Sequence, residues 1–289
     1  MKQTKKILIL GAAGMSGSAL IRYFSSDVNF TVYGSVKTSN LVRQLEARTP
    51  NAQIISSINV ENQDCLTRLF DSVKPDFVVN CVGIVKQLPQ SNDPLAVLPI
   101  NSLLPHRLAR LCEIVGARLV HLSSDCVFSG KKGSYLESDV PDATDLYGRS
   151  KLLGEVDYPN AITLRTSLIG PELHGARSLL NWFLAQDSSV RGFTKAVFSG
   201  LPAIEVARII EKYVLLHPEL HGVYHLSVDP ISKYDLLHMI KAVYKKKIEI
   251  IPDESLLIDR SLDSTRFQEA TGFAPKPWRE LVQAMHDFG

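Results

Sequence analysis

The sequence predicts a doubly wound α/β protein, a parallel sheet with helices on both faces, followed by a smaller and mainly helical lobe. Three observations carry that expectation. Short β-rich runs alternate with longer segments of helical period over the first 165 residues. These runs are apolar at nearly every position, as strands buried on both faces must be. Three glycines at three-residue intervals stand between the first such run and the first helical segment.

The strand candidates are KILIL (6–10), FTVYGS (30–35), AQIISS (52–57), DFVVNCVG (76–83), ARLVHLSS (117–124) and AITLR (161–165). The helical patterns MSGSALIRYFSS, NLVRQLEAR, NQDCLTRLFDSV, NSLLPHRLARLCEIVG and YGRSKLLGEV fall between them, so each parallel step has its crossover. Residues 1–165 are therefore expected to form the sheet domain and 166–289 a second lobe. The lobe carries RSLLNWFLAQ (177–186), PAIEVARIIEKYVLLH (202–217) and SKYDLLHMIKAVYKKK (232–247), with the strand-like runs GVYHLS and IEII, some of which rejoin the first sheet. Lys245–Lys247 end a helical pattern, where positive charge suits the helix dipole.

Gly11, Gly14 and Gly17 lie directly after the first strand and before the first helix, the context of a dinucleotide-binding turn. Glycines let the backbone approach a pyrophosphate, whose charge is held by free amides at a helix N-terminus. Gly11, Gly14, Met15, Ser16 and Gly17 are thus the expected phosphate cradle of a Rossmann-like site, although the spacing is G-x-x-G-x-x-G. A merely tight turn is the alternative. Past the second strand, Ser35 and Lys37 stand where an NAD-type aspartate would be, with no acid before Glu46. NADPH is the expected cofactor and NADH the alternative, the lysine otherwise being a solvated loop charge. Asn59, Val60, Cys81, Val82 and Gly83 follow the third and fourth strands, at the sheet edge where such folds receive ligands.

The composition narrows the partners. Lys+Arg 32 against Asp+Glu 30 is a formal net charge of +2, which argues against nucleic acid as the main partner. A chain of 289 residues buries roughly three quarters of its unfolded surface without disulfides. Cys65, Cys81, Cys112 and Cys126 show no C-x-x-C spacing and read as reduced, buried thiols of a cytosolic protein. Lys2, Lys5 and Lys6 before an apolar run loosely copy a secretory leader, but glycines interrupt the run. No stretch approaches the roughly 18 apolar residues of a membrane helix. His217, His221 and His225 recur every fourth residue, yet Pro218 and Gly222 break any helix there, so no metal is expected. Trp182, Phe183, Phe193 and Trp278 would line a sugar pocket or, more commonly for such residues, fill a core.

DLYGRSKLLGE (145–155) places Tyr147 four residues before Lys151, on one helix face. By itself the pair is an ordinary aromatic beside a charge. Read with the glycine triplet and with HLSSDCVFSG at the end of the fifth strand, however, the chain resembles the extended short-chain dehydrogenase/reductase family. Within it, SSDCVF, YGRSKLLGE, LRTSLIG (164–170) and RSLDSTRFQEATGF (260–273) are most similar to the dTDP-4-dehydrorhamnose reductase group. The likeness covers nearly the whole chain. It departs at Cys126, where the group has tyrosine, and at Ser124, where threonine is commoner.

The resemblance implies reduction of a nucleotide-linked 4-keto-6-deoxy sugar by NADPH, in deoxysugar or surface-polysaccharide synthesis. Ser124, Tyr147 and Lys151 would be the catalytic residues, Ser123 would lie nearer the cofactor, and Ser124, Asp125 and Arg260 would meet the substrate. Hydride transfer builds negative charge on a carbonyl oxygen, and a phenol with an ordinary value of about 10 protonates it sluggishly. Lys151 would favour the phenolate and bind the ribose, while Ser124 would hold the oxygen in line. Arg165 and Arg260 suit phosphate oxygens, though a surface ion pair fits each as well. A sugar-nucleotide epimerase and a non-catalytic regulatory subunit on the same fold stay open, as does a homodimer.

Overall fold

Ile7, Leu8, Ile9 and Leu10 have no accessible surface, which places the first strand at the centre of the molecule. The computed structural model describes residues 4–289, so Lys2 lies outside the described residues, while Lys5 and Lys6 open strand β1 (Lys5–Leu10). The strands β2 (Phe30–Ser35), β3 (Ala52–Ile55), β4 (Phe77–Asn80), β5 (Arg118–Leu122) and β6 (Ala161–Arg165) follow in the predicted order. They form a parallel sheet ordered 3-2-1-4-5-6, and a seventh strand from the second lobe, Gly222–His225, pairs with the outer side of β6.

Strand alternation divides the core in two. Ile7, Ile9, Val79, Val120 and Ile162 face helix α1 (Met15–Ser25) and the second lobe. Leu8, Leu10, Val78, Leu119 and Ala161 face the other way, onto Leu66, Leu69 and Phe70 and onto Leu104, Leu108 and Cys112. These belong to the helices on the opposite layer, which α2 (Val42–Arg48) precedes in the chain: α3 (Gln63–Val73) and, beyond α4 (Pro94–Leu98), α5 (Leu104–Val115). Each fully buried Leu or Ile contributes about 2 kcal/mol, so slipping one strand by a residue would invert both layers.

Between α4 and α5 the helix continues through a π-type stretch, Pro99–Leu103, so the helical run begins earlier than the expected residue 101. Pro99 and Pro105 lack N–H donors, which interrupts the regular ladder. The wider turn points Asn101 and Ser102 at helix α6 (Leu146–Leu153): Ser102 Oγ donates to the Ser150 carbonyl at 2.9 Å, and Asn101 Nδ2 lies 3.2 Å from Ser150 Oγ.

In the chain after β6, Ser189–Phe193 pairs with Glu249–Asp253, and Ala196–Phe198 lies between Ile231–Ser232 and Ile258–Asp259. The helices α7 (Leu179–Leu184), α8 (Ala203–Ile209), α9 (Lys233–Val243), α10 (Thr265–Thr271) and α11 (Trp278–Phe288) complete it. Helix α8 packs across α1, which joins the lobe to the sheet. Phe183 and Trp278 are core residues, the Trp278 indole N–H donating to the Asp229 carbonyl at 2.6 Å. All four cysteines are free, and only Cys112 is buried; the other three are half-buried.

Candidate active site

The site lies at the C-terminal ends of the strands, and the glycine turn builds one wall. Gly11 takes φ of +78°, and a Cβ there would stand 3.1 Å from the Val82 side chain. A Cβ on Gly17 would stand 2.1 Å from the Gly11 oxygen, so only glycine lets α1 start against the turn. Gly14 differs: the nearest atom to an added Cβ is 3.5 Å away, and its N-cap position offers no side chain to the first-turn amides. A helix N-terminus with no side-chain cap, where a side chain would meet no clash, fits a pyrophosphate.

A cavity of about 420 Å³ continues from this turn and brings together Gly11, Ser35, Lys37, Asn59, Val60, Val82 and Gly83, all expected on sequence grounds. Glu61, Ile84, Gln90 and Ile100 join them without having been singled out. Cys81 links the cavity to the rest of the site, its thiol meeting the Ser16 hydroxyl on one side and feeling the Lys151 charge on the other. Burial pushes that thiol up to about 12, so it is neutral.

Helix α6 supplies the second wall. Asp145 caps it, accepting from the Gly148 amide at 2.9 Å, a capping contact worth about 1 kcal/mol. A Cβ on Gly148 would stand 2.3 Å from the Cys126 carbonyl oxygen, so the glycine seats the helix directly on the turn after β5. Tyr147 is thereby set against Ser124, Asp125 and Cys126. Ser124 Oγ donates to Asp125 Oδ1 at 3.1 Å and accepts from the Cys126 amide at 3.0 Å.

The electrostatics differ from the expectation. Burial raises the Tyr147 phenol well above its ordinary value, and Cys126, Asp125 and Asp145 add to that, while the Ser124 hydroxyl opposes it. Lys151 is 5% exposed and donates to the Leu122 carbonyl at 2.7 Å, so it is not the group that sets the phenol in this arrangement. A desolvated ammonium seeks the nearest strong acceptor, here the strand-end carbonyl. Burial lowers Lys151 to about 8, with Glu155 and then Cys81 opposing.

Charge rims the phenol on the open side. Lys86 Nζ lies 5.5 Å from the Tyr147 ring centroid and 2.9 Å from Asp145 Oδ2. Arg260 Nε donates to the Phe128 carbonyl at 2.8 Å, and its charge draws Asp125 and Cys126 down against the burial that raises both, the thiol standing at about 11. Neither Lys86 nor Asn101, which holds Ile84 through both its amide atoms, was legible beforehand. Asp145 carried a readable signal, an acidic residue immediately before a helix.

Two expectations are corrected. Arg165 is neither a phosphate anchor nor a surface ion pair: it is 5% exposed and pairs with Glu155 through Nε at 2.8 Å and Nη2 at 2.7 Å. Ser123, expected nearer the cofactor, commits its hydroxyl to Glu155 at 2.8 Å and does not line the cofactor cavity. The three histidines have separate partners, His217 with Glu219, His221 with Asp157 and His225 with Arg165.

The sheet order and this cluster define an α/β protein of Rossmann-like fold with a candidate dinucleotide site at its strand ends. The chain belongs to the family described as RmlD substrate binding domain, which matches residues 5–288. A dTDP-4-dehydrorhamnose reductase of Aggregatibacter actinomycetemcomitans is 26% identical, over 96% of this chain and 97% of that protein. Methionine adenosyltransferase 2 subunit beta of Mus musculus is 26% identical over 81% of this chain and 70% of its own length. The structure of dTDP-4-dehydrorhamnose reductase from Bacillus anthracis in complex with NADP, 19% identical, covers 99% of this chain and all of its own with a TM-score of 0.78.

Proposed function

We propose that this chain is an NADPH-dependent reductase of a nucleotide-linked 4-keto-6-deoxy sugar, in deoxysugar or surface-polysaccharide synthesis. The observation that carries the reading is Tyr147 facing Ser124 in a member of this family, with Lys151 held on the Leu122 carbonyl at the end of the strand that delivers Ser124. Gly11 to Gly17 would hold the pyrophosphate, Ser35 and Lys37 the 2′-phosphate, and Lys151 the nicotinamide ribose through the N–H groups that Leu122 leaves free. When bound, the nicotinamide supplies hydride.

The raised phenol is an asset to a reductase. Tyr147 keeps its proton at neutral pH, and an oxygen becoming an alkoxide is far more basic than a phenolate, so the proton moves when charge develops. Ser124 Oγ would turn its single O–H from Asp125 to the same oxygen and fix its line to the phenol. Arg260 has its Nε committed to Phe128, which leaves the Nη edge to the substrate's phosphates. Asp125 lies beside it and would meet the sugar.

The likeness to a methionine adenosyltransferase subunit favours a second reading, a nucleotide-binding regulatory subunit. Against it, the chain retains a hydroxyl at Ser124, a phenol at Tyr147 and an ammonium at Lys151, on the β5 end and the α6 helix that meet there. Purified protein given NADPH and a panel of dTDP- and UDP-linked 4-keto sugars separates the two. Loss of nicotinamide absorbance with one sugar supports the reductase; binding of NADPH with no consumption across the panel supports the regulatory subunit.

A further inference from the structure

Arg165 and His225 belong to one buried chain of hydrogen bonds that reaches the floor of the site. His225 Nδ1 faces two carbonyl oxygens, Tyr135 at 3.0 Å and Asp263 at 3.1 Å, and a carbonyl only accepts. Nδ1 therefore carries the proton, and Nε2 accepts from Arg165 Nη1 at 3.2 Å, since a guanidinium only donates. The rest of that guanidinium clamps both oxygens of Glu155, and Glu155 Oε1 also accepts from Ser123 Oγ at 2.8 Å. The Glu155 and Arg165 side chains are 5% and 6% exposed, and Glu155 follows Lys151 by four residues.

The other titratable groups facing Lys151 are uncharged. Cys81 is a thiol, burial raises the Tyr147 phenol, and burial holds the His121 imidazole well below its ordinary value. Glu155 holds the Ser123 hydroxyl one residue beyond Leu122, whose carbonyl holds the Lys151 ammonium, so its carboxylate stands close enough to favour that charge.

We propose that Glu155 is a positioning residue: fixed by Arg165 and Ser123, its buried carboxylate keeps the Lys151 ammonium charged and ties the Ser123–Ser124 strand end to the residues that follow α6. Arg165 and His225 extend the tie to Asp263, in the segment that carries Arg260. The inference deepens the reductase reading and rests on Lys151 being the charged member of its site. Its test reads Lys151 directly, without cofactor or substrate, so it stands apart from whether any keto sugar is turned over.

The experiment is a pH titration of protein carrying ¹³Cε-labelled lysine, with Lys151→Met identifying the resonance. Parent protein should titrate at Lys151 near pH 8. Glu155→Gln should move that midpoint down by roughly one pH unit. Because the single variant leaves Arg165 unpaired in the interior, Glu155→Gln/Arg165→Met is measured beside it, with no unpaired charge to bury. A downward shift in whichever variant folds supports the proposal. A midpoint within a few tenths of the parent's, even with a lowered Tm, overturns it. So does failure of both variants to fold, which would make the pair a requirement of the fold rather than of the charge on Lys151.

Discussion

The Nζ of Lys151 is bonded to the main-chain oxygen of Leu122, the last residue of the strand that delivers Ser124. A buried ammonium held this way costs stability. Its folded value of about 8 lies below the ordinary 10.5, so between those values the unfolded chain binds the extra proton. Stability from this group is therefore lowest below pH 8 and is regained as pH rises from about 8 to 10.5. Lys151→Met should stabilise the fold at pH 7 by up to about 3 kcal/mol. Urea midpoints at pH 7 and pH 10 check this, the gain shrinking at the higher pH while reductase activity is lost at both.

Gly14 and Gly17 should separate binding from folding. Gly17→Ala forces a methyl onto the Gly11 carbonyl and should cost about 2 kcal/mol or more. Gly14→Ala meets no such contact, so it should leave stability within about 1 kcal/mol of the parent. With its methyl in the pyrophosphate's place, it should weaken NADPH at least about 10-fold, a loss of roughly 1.4 kcal/mol. Calorimetric titration and thermal melts on both variants give the two readouts.

Lys37 lines the cofactor cavity beside Ser35. If it reads a 2′-phosphate, Lys37→Ala should raise the Kd for NADPH about 10-fold, the worth of one charge-assisted hydrogen bond, and leave NADH unchanged. An equal loss for both cofactors would remove that role.

Ser124 caps the turn through the Cys126 amide and, in the proposed reaction, also orients the substrate oxygen. Ser124→Ala should cut kcat by roughly 10-fold to 10²-fold and cost about 1 kcal/mol. Ser124→Thr keeps the hydroxyl and should retain most of the rate, so steady-state kinetics on the pair isolate the oxygen's contribution.

Much of the fold was legible because parallel strands are apolar throughout and because the glycine interval marks the first strand-to-helix turn. Seven of the expected cofactor residues meet in one cavity for the same reason, each standing at a strand's C-terminal end. Lys151 shows the limit of helical spacing: four residues put it on the face of Tyr147, but the carbonyl of a neighbouring strand captures its ammonium. Arg165 shows another, since a strand end that usually faces ligand here points into an interior already holding Glu155. Lys86 reaches Tyr147 from a loop about sixty residues away in sequence, a proximity that only tertiary folding creates. Helix α11 buries Trp278, Leu281, Val282 and Met285 at helical spacing, but it lies beyond the alternation that exposed the other elements.

The most direct measurement compares parent and Tyr147→Phe protein with NADPH and a dTDP-4-keto-6-deoxy sugar, following nicotinamide absorbance and, separately, cofactor affinity. Parent protein should consume NADPH, and the variant should bind it as tightly while turning over at least about 10²-fold more slowly. Equal turnover by the two proteins would contradict the assignment of Tyr147 as the proton donor.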